Sequence, residues 1–339
     1  MTRHSALRRQ ISKLCGLGLI ACVLTLCGCT ISEDESTSGP PQIQLEPAIQ
    51  VLQTQAMQND DPHMRAIAVE SVEQLDNTAA VQIVAHGLSD PSPIVRFSAA
   101  MVCGTQQMYV LKPQVEQLLN DPDQSVQVAA IFALSQLGED DYLNRLPAMF
   151  SSSDPTVRGN VAMVLGDLGN KSAIDLLLSD ANEPNPGVKF SITEALAQLG
   201  YPDAISSIIA LSLSVNAEDH LEALSACREL TVPVATNVLL SGLSDPDPSA
   251  RLIAARGLGM RGSLQGEQIA VQYAADSDPN LRVLAALALG SMRVTSNIDV
   301  LNGLLSDPNP KVQIAAAAGL IRLNHLAQMD EDMGITATQ

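Results

Sequence analysis

Cys103 and Cys227 are the cysteines in the body of this chain, and His63, His86, His220 and His325 are its histidines beyond the N-terminal segment. Thiols and imidazoles brought together would make a metal site or an activated nucleophile. The histidines are scattered and no His-Glu dipeptide occurs, so a metal cluster is not expected. Asp-rich turns such as Asp276-Ser277-Asp278 invite calcium, but they lack the central Gly and the distant bidentate Glu of a calcium loop. Carboxylates capping helix starts account for them. Neither a Gly-x-Ser-x-Gly elbow nor a phosphate-cradling Gly-rich loop is present. No catalytic residue, metal or cofactor is expected, and the chain reads as a non-enzyme.

The cysteine with the clearest chemistry lies near the start. Residues 1–13 are basic and polar, and an uncharged apolar stretch from Leu14 to Leu26 follows. That is the pattern of a secretion leader, and it is short for a membrane span. It ends in Leu26-Cys27-Gly28-Cys29, which resembles the lipobox of bacterial lipoproteins, where the last Cys is acylated and becomes the N-terminus. An uncleaved anchor and an ordinary cleaved signal are the alternatives. Arg8-Arg9-Gln10-Ile11-Ser12-Lys13 is similar to the twin-arginine export motif, with Ile11 where an aromatic is common, so that route and general secretion both stay open. Thr30 after the lipidated Cys resembles lipoproteins sent to the outer membrane. Acyl chains contribute roughly 0.8 kcal/mol per buried CH₂, which makes Cys29 the expected membrane anchor on the periplasmic side. The reading divides the chain into a leader (1–28), an acidic disordered tether (29–44), a folded body (45–325) and a disordered tail (326–339).

The body is periodic. Steps of 31 residues from Arg65 land on Arg96, Gln127, Arg158, Lys189, His220, Arg251, Arg282 and Gln313. Seven residues past each lie Val72, Cys103, Leu134, Leu165, Leu196, Cys227, Leu258, Leu289 and Leu320, and three past each lie Ala, Val or Ile. Each unit reads as two helices. Asp-Pro opens the second one, as in Asp154-Pro155, and Gly138, Gly169, Gly200 and Gly262 close it. Val84, Val115, Leu146, Leu177, Ile208, Leu239, Ala270 and Leu301 are the buried positions of the first helices. The two body cysteines then sit at one core offset, four units and about 40 Å apart, too far for a disulfide. Helices 8 to 10 Å apart predict a curved rod roughly 80 to 90 Å long.

This repeat resembles the HEAT family, and in length the short HEAT-like repeats of phycobilisome lyase subunits. Asp90-Pro91-Ser92-Pro93-Ile94-Val95-Arg96, Asp245-Pro246-Asp247-Pro248-Ser249-Ala250-Arg251 and Asp307-Pro308-Asn309-Pro310-Lys311-Val312-Gln313 carry the resemblance. It implies an all-α, right-handed α-α superhelix of about nine two-helix repeats. It also implies an inter-repeat ladder, for which Asp90/Arg96, Asp245/Arg251 and Asp276/Arg282 are the matching pairs. Gln127 and Gln313 replace the Arg, and the sixth unit (Asn216 to Leu221) has lost Asp-Pro, so a weak joint or bend is expected there. Enzymes share the repeat family, bilin lyases and the di-iron deoxyhypusine hydroxylase among them.

In such solenoids the second helices line the concave face. At 100° per residue, offsets +5 and +9 oppose the buried face. They place Met101, Phe132 and Met163 in successive units, beside Asp167, Glu194 and Glu229. The expected site is an exposed apolar patch with acidic flanks, suited to a basic, partly apolar peptide. The alternative is that the three apolar side chains pack on the adjacent second helix.

Composition bounds the partner. The formal charge is -18, and Arg3, Arg8, Arg9 and Lys13 all precede Cys29, so the mature chain would be more acidic still. Nucleic acid is not an expected partner. The functional expectation is a lipid-anchored envelope scaffold that binds a protein and needs no small-molecule cofactor. A lyase- or hydroxylase-type enzyme and a purely architectural envelope protein are the competing classes.

Overall fold

A computed structural model describes residues 43–75, 77–180 and 183–332, with side chains to 329. The expected leader, Cys29 and most of the tether lie outside the described residues, as does 333–339 of the expected tail.

Eighteen α-helices are described. They are α1 (Glu46–Gln58), α2 (Pro62–Glu70), α3 (Thr78–Gly87), α4 (Pro93–Thr105), α5 (Lys112–Gln117), α6 (Gln124–Gln136), α7 (Leu146–Phe150), α8 (Pro155–Asp167) and α9 (Ile174–Leu178). The series continues with α10 (Pro186–Gln198), α11 (Pro202–Leu211), α12 (Ala217–Glu229), α13 (Pro233–Gly242), α14 (Pro248–Gly259), α15 (Glu267–Tyr273), α16 (Pro279–Leu289), α17 (Ser296–Leu304) and α18 (Pro310–Asp332). Each odd-numbered helix pairs with the even one after it, giving nine repeats in an all-α solenoid. Short 3-10 turns precede α5, α7 and α9.

The 31-residue pattern becomes one continuous core. Every residue seven past the repeat's basic position, from Val72 to Leu320, is buried. So are the residues three past it, from Ala68 to Ala316, and the first-helix series from Val84 to Leu301. Cys103 and Cys227 are free and buried in this core, and loss of solvent pushes their thiols up to about 12 and about 11. Thiols held so far above neutrality are unreactive core side chains.

Helix boundaries follow local chemistry. Asp154 accepts the Thr156 amide at 2.8 Å ahead of Pro155, and Asp247 does the same for Ser249. Gly138, Gly169, Gly200 and Gly262 all have positive φ at the end of the repeat. Gln107 takes the equivalent place in the second unit, with φ of 51°. The ninth unit has Asn324 there, and α18 continues through it to Asp332. The expected tail from 326 is therefore helical in its first part.

The expected open rod does not form. α18 packs against α1 and reaches α2. Leu305, Ser306 and Gln313 face Pro47, Gln50, Val51, Thr54 and Gln55 across a cleft of about 320 Å³. The ninth repeat thus stacks on the first, and the unit closes into a ring with even-numbered helices inside. Nine repeats close when each turns about 40° from the last, and that small rotation is set by packing detail which periodicity does not encode. Inner helices about 9 Å apart on such a ring leave a lumen about 20 Å across between backbones, and about 15 Å once side chains are counted.

Two junctions differ. Most consecutive inner helices pack side by side, but α11 wedges between α10 and α12, and at the closing seam α1 lies between α18 and α2. The first of these is the joint expected from the loss of Asp-Pro in the sixth unit.

Candidate partner-binding lumen

The ladder that holds the repeats in register has a different pairing from the one expected. Arg96 donates from Nε and Nη2 to Asp121 of the next repeat, at 2.8 and 2.9 Å. Its Nη1 donates to the backbone oxygens of Asp90 and Pro91 in its own turn. Asp90 instead accepts Arg65 of the preceding repeat at 2.8 Å, and the Ser92 amide. The same step of 25 residues joins Arg158 to Glu183, His220 to Asp245 and Arg282 to Asp307. Asp90/Arg96 and Asp276/Arg282 are joined through backbone oxygens, and the Asp90 carboxylate already belongs to Arg65 of the repeat before. Arg251 likewise donates to the Asp245 oxygen, and its outer end meets the Tyr273 hydroxyl rather than Asp276. Gln127 and Gln313 keep only the backbone contact, to the oxygens of Asp121 and Asp307.

All inner helices run the same way, so their C-terminal ends surround one mouth of the lumen. Helix C-termini carry partial negative charge, which disfavours further anions there. Against that expectation, acids gather at this mouth. Asp167 and Glu229 end α8 and α12, Glu194 lies in the last turn and a half of α10, and Glu73 follows α2. Asp167 is solvent-accessible, yet walls of protein enclose it, and Glu194, Glu229 and Glu73 lie within electrostatic reach. Partial loss of solvent and repulsion by those three carboxylates push it up to about 6. Glu194 is raised too, by burial and then by Glu229. Burial raises Glu73, with Arg322 pulling it back.

Of the residues expected at the site, Asp167, Glu194 and Glu229 do converge. Met101, Phe132 and Met163 do not form a patch open to solvent: Phe132 is only 4% exposed, and the two methionines are half-buried against the core. The reason is the close approach of α4 and α6. A Cβ on Gly104 would sit 2.7 Å from the Ala133 Cα and 3.1 Å from the Phe132 ring, so Gly104 makes the room that Phe132 fills. The packing alternative holds.

Glu73, Arg228, Arg256 and Arg322 complete the lumen and were not singled out in the sequence. Glu73 and Arg228 lie eight past the basic position of their repeats, Arg256 five and Arg322 nine. Reading all inward offsets across every repeat would have shown both charge signs. Arg228 donates to Glu229 at 2.8 Å. Burial, then repulsion by Arg228 and Arg322, brings Arg256 down to about 10 against the pull of Glu229 and Glu73. Among the described residues no group of three or more His, Cys, Asp and Glu is placed to hold a metal ion, and no helix is long and apolar enough to cross a membrane.

A family model described as HEAT repeats matches residues 82–150, 111–185, 145–226 and 236–321. No curated protein sequence matches the chain. Among solved structures it is similar to the complex of CpcE and CpcF of phycocyanin lyase from Nostoc sp. PCC7120, at 20% identity and a TM-score of 0.44, covering 71% of this chain and 97% of that one. It is also similar to human deoxyhypusine hydroxylase in complex with glycerol, at 16% identity and a TM-score of 0.36, covering 83% of this chain and 97% of the other.

Proposed function

The chain belongs to the HEAT-repeat family, and from that premise we propose that it is a protein-binding scaffold, held at the cell envelope by acyl chains on Cys29, whose lumen receives a basic segment of a partner. The observation that carries the reading is Asp167. It faces carboxylates from three other repeats, and no cation contributes to its environment. Like charges assembled at the negative ends of helices cost folding free energy, and a cationic ligand offsets that cost. The apolar arm of the expected site is withdrawn, so recognition rests on charge and on the shape of the lumen.

The lipobox-like Leu26-Cys27-Gly28-Cys29 supports the anchor and a periplasmic-side location, on the outer membrane where the cell has two. Catalysis is not proposed. Buried thiols far from ionisation and histidines spread among different repeats offer no nucleophile or metal cluster.

Two measurements test the reading. A fluorescent Lys/Arg-rich octapeptide should bind the purified full chain in a salt-sensitive way, and the D167N/E194Q variant should bind it at least tenfold more weakly. Equal binding by both removes the lumen as the site. The Cys29→Ser protein should leave the membrane fraction, and its retention there removes the anchor.

A further inference from the structure

We propose that Arg256 and Arg322 form a receptor site for a single carboxylate group, built by the seventh and ninth repeats where Asp167 and Glu194 belong to the fourth and fifth. The two guanidiniums come from α14 and α18, on either side of α16, and lie within electrostatic reach of each other. In each, Nε is buried and has no hydrogen-bond partner. Among the described residues neither belongs to an ion pair, in contrast to Arg65, Arg96, Arg158 and Arg282 of the ladder, each held by a carboxylate at 2.8 Å. A guanidinium N–H withdrawn from water without an acceptor is unfavourable, and an oxyanion that reaches it relieves the cost.

Charge selects the kind of oxyanion. Arg228 is already matched by Glu229 at 2.8 Å. Arg256 and Arg322 have two carboxylates within electrostatic reach, Glu229 and Glu73, and with Glu229 paired to Arg228 only Glu73 is left for both. The surplus is one positive charge. A carboxylate neutralises it, whereas a phosphate dianion would add a negative charge to a lumen that already holds Asp167, Glu194, Glu229 and Glu73. The planar fork of arginine also matches a planar carboxylate.

The site shares Glu73 and Glu229 with the cation-binding mouth, and the test distinguishes the two. With arginine side chains labelled by 15N in the full chain, the Nε–H resonances of Arg256 and Arg322 are assigned by their loss in R256Q and R322Q. N-acetylglycine and inorganic phosphate are then titrated separately, with ionic strength held constant by chloride. The expected result is a saturable shift of these two resonances with N-acetylglycine, no shift of Arg65 or Arg96, and an affinity at least tenfold lower in R322Q. The same shift should persist in D167N/E194Q, whatever that variant does to a basic peptide. Should R322Q not fold, Arg322→Lys keeps the charge without the fork and should bind severalfold more weakly. Shifts that are linear, or shared by the ladder arginines, overturn the site. Phosphate binding tenfold tighter than N-acetylglycine overturns the carboxylate assignment.

Discussion

Arg96 reaches forward to Asp121, in the next repeat, with two parallel hydrogen bonds, while its third nitrogen closes the turn that begins its own repeat. One side chain therefore fixes both a turn and a stacking register. Asp121 is 8% exposed and also accepts the Asp123 amide at 2.9 Å, so its oxygens are largely committed. Repeats that touch only their neighbours depend on such contacts for their mutual rotation, and that rotation decides whether the array closes.

Replacing Arg96 with Ala should destabilise the protein by about 3 kcal/mol, because a buried carboxylate is left without its counter-charge. In R96A/D121A the loss should fall well short of the sum of the two single losses, since both remove one interaction. Urea midpoints at constant m-value measure this. Strict additivity would show that the pair does not couple.

The junction between the fifth and sixth repeats lacks a rung. Lys189 and Ser214 occupy the two ladder places, and Ser214 Oγ accepts the Asn216 amide as the ladder carboxylates accept theirs. Leu213 and Val215 are fully exposed beside it. This turn should be the first cut by a protease of broad specificity. K189R/S214D should build the missing rung, slow that cut several-fold and stabilise by about 1 kcal/mol. Unchanged cleavage in the double variant would mean that the joint owes its looseness to something other than the ladder.

Repeat length, helix ends and core were all legible in the sequence, because a 31-residue period fixes which side chains meet inside one hairpin and between its neighbours. Val72 to Leu320 were identifiable by spacing alone, and so were Asp154 and Gly169 as helix signals. Ring closure was not, because it depends on a few degrees of rotation summed over nine contacts. The ladder partners were shifted by one repeat for a related reason: in sequence the nearest carboxylate to Arg96 is Asp90, but stacking presents Asp121. Phe132 was misplaced because Gly104, which admits its ring, lies in a different repeat. Asp167, Glu194 and Glu229 were found because their offsets are inward-facing, which survives closure.

Gly290 and Gly319 meet where α16 gives way to the next turn beside α18, and a Cβ on Gly290 would overlap the backbone of Gly319. Backbone atoms cannot yield as a flexible side chain can. Gly290→Ala should therefore cost about 2 kcal/mol and loosen the eighth repeat against the ninth. Hydrogen exchange should rise in α18 and α1 together if the seam opens as a unit. A rise confined to α16 would count against a closed ring.

Stability should peak between about pH 4 and 5. Asp167 stands at about 6 in the folded chain, above the roughly 3.9 of an unfolded aspartate, so it is a destabilising group while ionised. As pH falls through 6 the folded state takes up a proton that the unfolded state does not, and stability rises until about pH 4. The ladder acts in the opposite sense at lower pH. Arg282 and the Asn309 amide hold Asp307 below its ordinary range despite burial, and Arg65 and the Ser92 amide outweigh burial in doing the same for Asp90. Their contribution is present above the unfolded value and is lost as pH drops below about 4. Solvent screening of the accessible Asp167 carboxylate keeps the gain between pH 7 and 5 under about 1 kcal/mol, or about 2 °C in Tm. Asp167→Asn should raise Tm at pH 7 and flatten the profile between pH 5 and 7, leaving the acid fall below 4 intact. A wild-type Tm that falls steadily from pH 7 to 5, or an unchanged rise in the Asn variant, would remove Asp167 as the group responsible and with it the crowding of carboxylates at the lumen mouth.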